Sequence, residues 1–205
     1  MTTVSKAVQT KVFGRWLVDG IKVTDPGLVD YIAIRPTIVP RTGGRNAKQK
    51  FHKARTFIVE RLMNKMMVPG HRGKKHKITS YTISGKSHQV YNLVERLFEE
   101  IEKKTSQNPI KVLVAAVEHA APREDIVSIE YGGARYPKAV ECSPERRVDL
   151  ALKNMVQGSF AKAFNAKKNF VEALTEEIVA AYQMSTTSNA IAKKLEMERQ
   201  ADASR

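Results

Sequence analysis

The sequence predicts a mainly α protein: a helical bundle with one protruding β-hairpin arm and an extended basic N-terminal segment. After residue 50, apolar residues recur at helical spacing over most of the chain. Between residues 125 and 142 the period changes to two around a Gly-Gly pair, which is typical of a hairpin. Before residue 50, three prolines and no sustained period indicate extended backbone. The predicted parts are an N-terminal extension (1–50), a helical domain that includes the hairpin (51–183) and a C-terminal helical tail (184–205).

Positive charge is concentrated in one part of the chain. The protein has 205 residues and a formal net charge of +14. Residues 31–94 contain 14 Lys and Arg but only one acid, Glu60, whereas the remainder carries 21 basic and 20 acidic residues. A solvated surface would interleave both signs, so this stretch favours a polyanionic partner, above all nucleic acid. We expect the basic arm at the end of the N-terminal segment to lie on phosphates rather than to be a simple linker. The residues expected to contact phosphate are Arg41, Arg45, Lys48, Lys50 and Lys53.

The first helix is predicted to begin near Phe51 and to end at Val68-Pro69-Gly70, because apolar residues recur there every fourth position. Its polar face should carry Lys53, Arg61 and Lys65. A basic loop follows from His71 to Ser84, and residues 78–83 have the composition of a short strand. Further phosphate contacts are expected in this loop from Arg72, Lys74, Lys75 and Lys77.

Capping residues delimit the later helices. The clearest apolar face runs from Val90 to Ile101. Asn108-Pro109 and Ser143-Pro144 each place an N-cap residue before a proline in the first turn, so helices should begin at both sites. A ladder of every fourth residue marks another helix over 170–182. The last helix, after the polar linker 185–188, has few apolar residues and should be weakly anchored.

The hairpin is predicted from alternation on both sides of Gly132-Gly133. Strands of about eight residues would form an arm about 26 Å long, at about 3.3 Å per residue. A two-stranded ribbon must lean on helices or on a partner. Two interpretations of Tyr131 and Tyr136 are open. They could stack on bases, or their role could be limited to side-chain pairing across the strands. The expected RNA contacts of this arm are Arg135, Tyr136 and Lys138.

Two adjacent arginines, Arg146 and Arg147, follow Ser143-Pro144 in the first turn of the next helix. The positive end of a helix dipole disfavours cations, so an anion should lie opposite them. We interpret both arginines as RNA contacts without a role in folding.

Motifs for catalysis or for a bound metal are weak. Gly70-His-Arg-Gly-Lys-Lys75 is two residues shorter than a phosphate-binding loop and lacks its hydroxyl residue. The first four of these residues match the Gly-x-x-Gly clamp of KH domains, but the surrounding strands do not. The five histidines lack paired metal spacing, and Cys142 is the only cysteine. Neighbouring acids oppose a thiolate at Cys142, so a nucleophilic pair with His119 is disfavoured. We expect no catalytic activity, no metal and no cofactor.

The composition also bears on location and on alternative functions. No apolar run approaches the roughly 18 residues of a membrane-spanning helix, and residues 1–10 lack a secretory pattern, so we expect a cytosolic protein. A DNA-architectural protein could also combine helices with a basic ribbon. Such arms usually carry an apolar wedge at the tip, which Gly132-Gly133-Ala134 does not offer. An enzyme acting on RNA would need an acid–base or metal constellation.

The hairpin and the helix after it carry a resemblance to a known family. Residues 131–152 read Tyr-Gly-Gly-Ala-Arg-Tyr-Pro-Lys-Ala-Val-Glu-Cys-Ser-Pro-Glu-Arg-Arg-Val-Asp-Leu-Ala-Leu and resemble the signature of small-subunit ribosomal protein family seven. Val12-Phe-Gly-Arg-Trp16 and the basic arm look like its archaeal and eukaryotic form. The loop at 71–84 is longer than the family's usual turn, so family contacts are not carried over there. Further similar segments are Ile58–Leu62, Thr105–Leu113, Ala120–Glu124 and Ala192–Arg199.

The resemblance implies a structural constituent of the small ribosomal subunit, located in the cytoplasm and not an enzyme. It implies binding to the 3′ major domain of small-subunit rRNA, early in assembly of the subunit head. The implied partners are this rRNA and neighbouring head proteins, with no membrane. The ribbon would lie by the exit-site tRNA and the outgoing mRNA.

Overall fold

A computed structural model describes residues 10–70, 80 and 83–205 of the chain. Within these residues it contains α-helices and a single antiparallel hairpin, so the predicted mainly α fold with one β arm is confirmed. No helix in this described part is long and apolar enough to cross a membrane. The elements are α1 (Ile58–Met66), α2 (Ser87–Thr105), α3 (Pro109–Ala120), β1 (Glu124–Tyr131), β2 (Ala134–Glu141), α4 (Pro144–Ala163), α5 (Phe170–Tyr182) and α6 (Asn189–Ala203).

Helix α5 lies at the centre of the bundle. It packs against α2, α3 and α4 and also contacts α6. Phe170, Leu174, Ile178 and Ala181, four or three positions apart, are buried along it. Since several other faces of α5 are also covered, this helix forms the middle of the core rather than one wall of it.

Helix starts follow the predicted caps. The Asn108 side chain accepts a hydrogen bond of 3.0 Å from the Ile110 amide, and α3 begins at Pro109. Helix α4 begins at Pro144, with Ser143 at its N-cap position, although the Ser143 side chain makes no capping hydrogen bond. The predicted helix starts at both sites are confirmed.

The first helix begins later than predicted, at Ile58 rather than near Phe51. Two 3-10 turns, Arg45–Lys48 and His52–Arg55, occupy the preceding chain. Between them Phe51 has a left-handed backbone (φ +61°), and Thr56 is extended, so a continuous α-helical hydrogen-bond ladder cannot form.

Arg61 also differs from the prediction, which placed it on the polar face of this helix. It is buried and only 2% exposed. It donates to the Tyr31 carbonyl at 2.9 Å and to Asp149 at 3.1 Å. The N-terminal segment therefore passes over the side of α1 that the periodicity assigned to solvent.

The N-terminal segment is irregular, as predicted, but it takes part in the core. Val12, Phe13, Trp16, Leu28 and Ile32 are buried in the same cluster as the helices. Trp16 packs edge-on to the Phe98 ring of α2 and donates to Glu102 at 3.0 Å. The N-terminal segment therefore shares one hydrophobic core with the helices.

The hairpin has the predicted turn, with Gly132 and Gly133 both at positive φ. In its register Ile129 lies opposite Tyr136, and Tyr131 lies opposite Ala134. The base of the ribbon contacts α6, whereas residues 127–138 are exposed. The short strand predicted at 78–83 lies mostly outside the described residues; Ile83 itself is in a turn.

Helix α6 is held more firmly than predicted. The buried Glu177 carboxylate accepts hydrogen bonds from Ser188 Oγ at 2.8 Å and from the Ala190 amide at 3.0 Å. Gly158 of α4 allows close approach, since a Cβ there would lie 2.6 Å from the Asn189 Cβ. The weak anchoring expected from composition is wrong, because polar contacts and a glycine dock the start of α6.

Candidate RNA interface

The basic arm before α1 exposes cations that have no carboxylate partner. Residues 31–59 contain no acid, so nearby negative charge is scarce. Elsewhere, Arg15 pairs with Glu99, and Lys162 pairs with Glu177 at 2.9 Å. Among the described residues, six exposed cations of this segment form no ion pair: Arg35, Arg41, Arg45, Lys48, Lys50 and Arg55.

Lys53 differs from its neighbours because it pairs with Asp149 of α4. The same carboxylate receives Arg61 at 3.1 Å and lies 4.0 Å from Lys65 Nζ. Burial opposes ionisation of Asp149, but the hydrogen bond from Lys53 and the surrounding positive charges outweigh it, so its pKa lies below the ordinary value. Asp149 thus ties the arm and α1 to α4, and Lys53 remains partly exposed.

A cleft of about 360 Å³ lies between the arm and α1. Glu60 accepts from the Thr42 amide at 2.9 Å and from the Thr42 hydroxyl at 2.6 Å, which holds the arm along the cleft. The Thr37 hydroxyl is buried there and has no hydrogen-bond partner among the described residues. The basic side chains on the lining are the guanidinium groups of Arg35, Arg41 and Arg55 and the imidazole of His52.

This arrangement suits an anion, because three guanidinium groups line one cleft and none of them has an ion-pair partner within the described part of the chain. Two of them, Arg35 and Arg55, are absent from the residues singled out in the sequence. Both belong to the basic stretch of residues 31–94, so charge density alone could have included them. Their shared cleft becomes visible only when the arm is folded back along α1.

The other predicted cations of the stretch lie between α1 and α2 in the sequence. Arg72, Lys74, Lys75 and Lys77 lie outside the described residues. Their proposed phosphate contacts depend on sequence and charge alone.

The ribbon presents its predicted residues to solvent. Arg135, Tyr136 and Lys138 are all exposed. The Nε atom of Arg135 lies 3.5 Å from Oε2 of Glu130 on the opposite strand. Tyr131 is 82% exposed. Tyr131 and Tyr136 are not cross-strand partners of each other, since the register offsets them. Both rings are therefore accessible from outside.

The two arginines at the start of α4 have anions opposite them, but these belong to the chain itself. Arg146 donates to Asp125 from Nη2 at 2.5 Å and from Nε at 3.1 Å. Arg147, 9% exposed, donates to Asp25 at 2.7 Å and to the Pro122 carbonyl at 3.0 Å. The interpretation that they have no role in folding is wrong for Arg147, because its donors are used internally. Arg146 keeps an exposed edge.

Catalytic and metal chemistry find little support in the described residues. They hold no group of three or more His, Cys, Asp or Glu side chains that could bind a metal ion. Burial and the Asp125 carboxylate raise the pKa of the Cys142 thiol, so a thiolate is disfavoured there. The sequence suggested Glu141 and Glu145 as the acids that oppose a thiolate, but the acid responsible is Asp125.

Comparison with known proteins shows the family of this chain. Residues 28–205 match the family described as Ribosomal protein S7p/S5e. Small ribosomal subunit protein uS7 of Nanoarchaeum equitans is 52% identical over 198 residues, covering 97% of this chain and 100% of the relative. The uS7 protein of Archaeoglobus fulgidus is 44% identical over 194 residues, covering 95% and 94%. The chain therefore belongs to the Ribosomal protein S7p/S5e family, as its resemblance to the archaeal and eukaryotic form predicted.

Proposed function

We propose that this chain is a non-enzymatic scaffold of the small ribosomal subunit in the cytoplasm. It binds the 3′ major domain of small-subunit rRNA, alongside neighbouring head proteins, and helps to assemble the head. Family membership supports the ribosomal role. The observation that supports rRNA binding is the row of six exposed cations on residues 35–55, which form no ion pair with any residue that the structure describes.

Unpaired surface cations suit RNA because each can release counterions from a phosphate without first breaking an internal ion pair. The arm is already held against the bundle by the Glu60–Thr42 hydrogen bonds and by the Lys53–Asp149 ion pair. The backbone of the arm therefore loses little conformational freedom on binding. Phosphate contacts of this kind position a protein without reading base sequence.

The proposed RNA surface extends beyond the arm. We include the four cations of residues 72–77 in this surface on the basis of their charge. We include Arg146 in the RNA surface because its side chain is partly exposed. Arg147 is buried and stabilises the fold instead. The exposed ribbon, with Arg135, Tyr136 and Lys138, is the part we assign to the neighbourhood of exit-site tRNA and outgoing mRNA.

The test is filter binding of the chain to separate transcripts of the 5′ and 3′ major rRNA domains over a range of salt. Arg45, Lys48 and Lys50 are replaced by Ala together. We expect preference for the 3′ transcript and a salt slope flatter by about 0.7–0.9 for each phosphate that the arm no longer neutralises.

A matched variant replaces three exposed lysines of α2 and α3 that form no ion pair among the described residues: Lys103, Lys104 and Lys111. It removes equal charge and should change the slope much less. Equal slopes for both variants would show that the arm does not touch phosphate. Tighter binding to duplex DNA than to either transcript would favour a DNA-architectural protein instead.

A further inference from the structure

Phe51 is the exception among the seven phenylalanines of the chain. Its side chain is 74% exposed, whereas Phe13, Phe57 and Phe98 are examples of rings buried in the core. Phe51 does not belong to the hydrophobic cluster or to the side chains packed against it. Its ring makes no aromatic contact within the part of the chain that the structure describes. Folding therefore leaves this ring in solvent.

The backbone conformation at Phe51 does not favour an aromatic residue, so local structure does not explain the ring. Its φ of +61° and ψ of +1° lie in the left-handed region, where glycine and asparagine are favoured over aromatic residues. The Phe51 carbonyl accepts from the Ala54 amide at 3.1 Å, a turn contact that any residue could make. A smaller residue would suit the free protein at least as well, so the ring points to a contact outside the chain.

The charges around Phe51 indicate the chemistry of that contact. Lys48, Lys50 and Arg55 are exposed on both sides of it in the chain, without ion pairs among the described residues. No acid occurs between Asp30 and Glu60. A partner for this patch must combine negative charge with flat apolar surface. Single-stranded RNA does so in every nucleotide, because phosphates and base faces alternate along it.

We propose that Phe51 is a stacking platform for an unpaired RNA base, with the flanking cations on the phosphates next to that base. The proposal deepens the rRNA-binding function proposed above and rests on it. A phenyl ring has no hydrogen-bonding group, so the contact accepts any base by its face and reads no sequence. It selects unpaired RNA over a regular helix, in which base faces are covered.

The experiment measures binding of the full chain to the 3′ major-domain transcript and to heparin, a polyanion without bases. Phe51→Ala and Phe51→Leu should weaken transcript binding by roughly 5- to 150-fold, the range for loss of one stacked base. Phe51→Trp should bind as tightly as the natural chain or more tightly. Heparin affinity and melting temperature should stay nearly unchanged in all three, because the ring lies outside the core.

Met184→Ala is the matched control. Met184 is 64% exposed and also has a positive φ, +54°, but it lies in the turn after α5, far along the chain from the basic arm. Its replacement should leave transcript binding unchanged. The Phe51→Trp chain adds a second readout, because its exposed indole should lose fluorescence on the transcript but not on heparin. The single natural tryptophan, Trp16, is buried and provides the background signal.

Three outcomes overturn the stacking contact. If Phe51→Leu binds the transcript as tightly as the natural chain, an apolar side chain without an aromatic ring is sufficient for the contact. Natural affinity in Phe51→Ala with unchanged indole fluorescence would show no base contact at all. Natural affinity in Phe51→Ala together with reduced entry into small subunits would assign the ring to a protein neighbour. A natural chain that does not prefer the 3′ transcript would instead contradict the proposed function.

Discussion

Arg147 donates a hydrogen bond of 2.7 Å to Asp25, which lies 122 positions earlier in the chain. The same guanidinium donates to the Pro122 carbonyl at 3.0 Å. One buried side chain therefore joins the N-terminal segment, the end of α3 and the first turn of α4. This arginine belongs to the family signature, yet its contacts are those of a residue that holds the fold together.

Arg147→Ala should lower the free energy of unfolding by about 3–5 kcal/mol, since it leaves Asp25 partly buried without its partner. Arg146→Ala should cost about 1 kcal/mol or less, because the Arg146 side chain is 58% exposed. Urea denaturation of both variants measures the difference. Equal losses, or a larger loss for Arg146→Ala, would contradict the assignment of Arg147 to the fold.

The carboxylate of Asp149 should make part of the stability depend on pH. Burial would raise its pKa, but the hydrogen bond from Lys53 and the nearby charges, Lys65 first, lower it further, so the net shift is downward. A carboxyl group with a lowered folded pKa stabilises the protein above its unfolded pKa, near 3.8, and loses that effect as the pH falls through the folded value. We therefore expect the stability difference between the natural chain and Asp149→Asn to shrink as the pH falls below about 4.

Urea denaturation between pH 2.5 and pH 7 measures this difference. Asp19→Asn is the control, because Asp19 is exposed and has no ion pair among the described residues. Its stability curve should run parallel to that of the natural chain. A constant gap between Asp149→Asn and the natural chain at all pH values would exclude the ionised carboxylate as its cause.

Gly158→Ala should weaken docking of α6 on α4. The added methyl group would lie 2.6 Å from the Asn189 Cβ, so the two helices must move apart, at a cost of about 1–3 kcal/mol. Asn189→Gly in the same chain removes that obstruction and should recover part of the loss. Thermal unfolding of the four chains in this double-mutant cycle gives the coupling energy. Strictly additive effects would show that the two residues do not meet.

Deletion of residues 130–137 removes the tip of the hairpin, and a two-residue turn closes the shortened ribbon. This change should leave the helical bundle folded. All eight residues are exposed, and the contacts of the ribbon with α6 come from its base. Far-UV circular dichroism and urea unfolding should stay close to those of the natural chain. Small subunits rebuilt with the deletion should assemble but handle exit-site tRNA or mRNA differently. Loss of cooperative unfolding would mean that the tip supports the core.

Elements set by neighbouring residues were predictable from the sequence. Asn108-Pro109 starts α3 because the cap bond joins residues two positions apart. Gly132-Gly133 turns the hairpin because two consecutive residues there need positive φ. The start of α1 was missed because Phe51 and Thr56 interrupt an apolar spacing that still looks helical.

The candidate interface was predictable in place but not in detail. Charge counting located the basic stretch, since the absence of acids in residues 31–59 is a property of the sequence. It could not separate Lys48, which has no ion pair among the described residues, from Lys53, because the partner of Lys53, Asp149, lies 96 positions away. It also gave no reason to group Arg35 with Arg55, which meet only at the cleft beside α1.

The sequence by itself determined the helical class, the ribbon, the basic arm and the family. Each of these depends on residue types in a short window or on their sum. Only the tertiary structure decided which charged and aromatic side chains the protein uses internally and which it exposes. The partners of Arg61 lie 30 and 88 positions away, and that of Arg147 lies 122 positions away. Periodicity measures spacing along the chain, whereas burial depends on which distant segment covers a side chain, so Arg61 and Arg147 became interior while Phe51 remained in solvent.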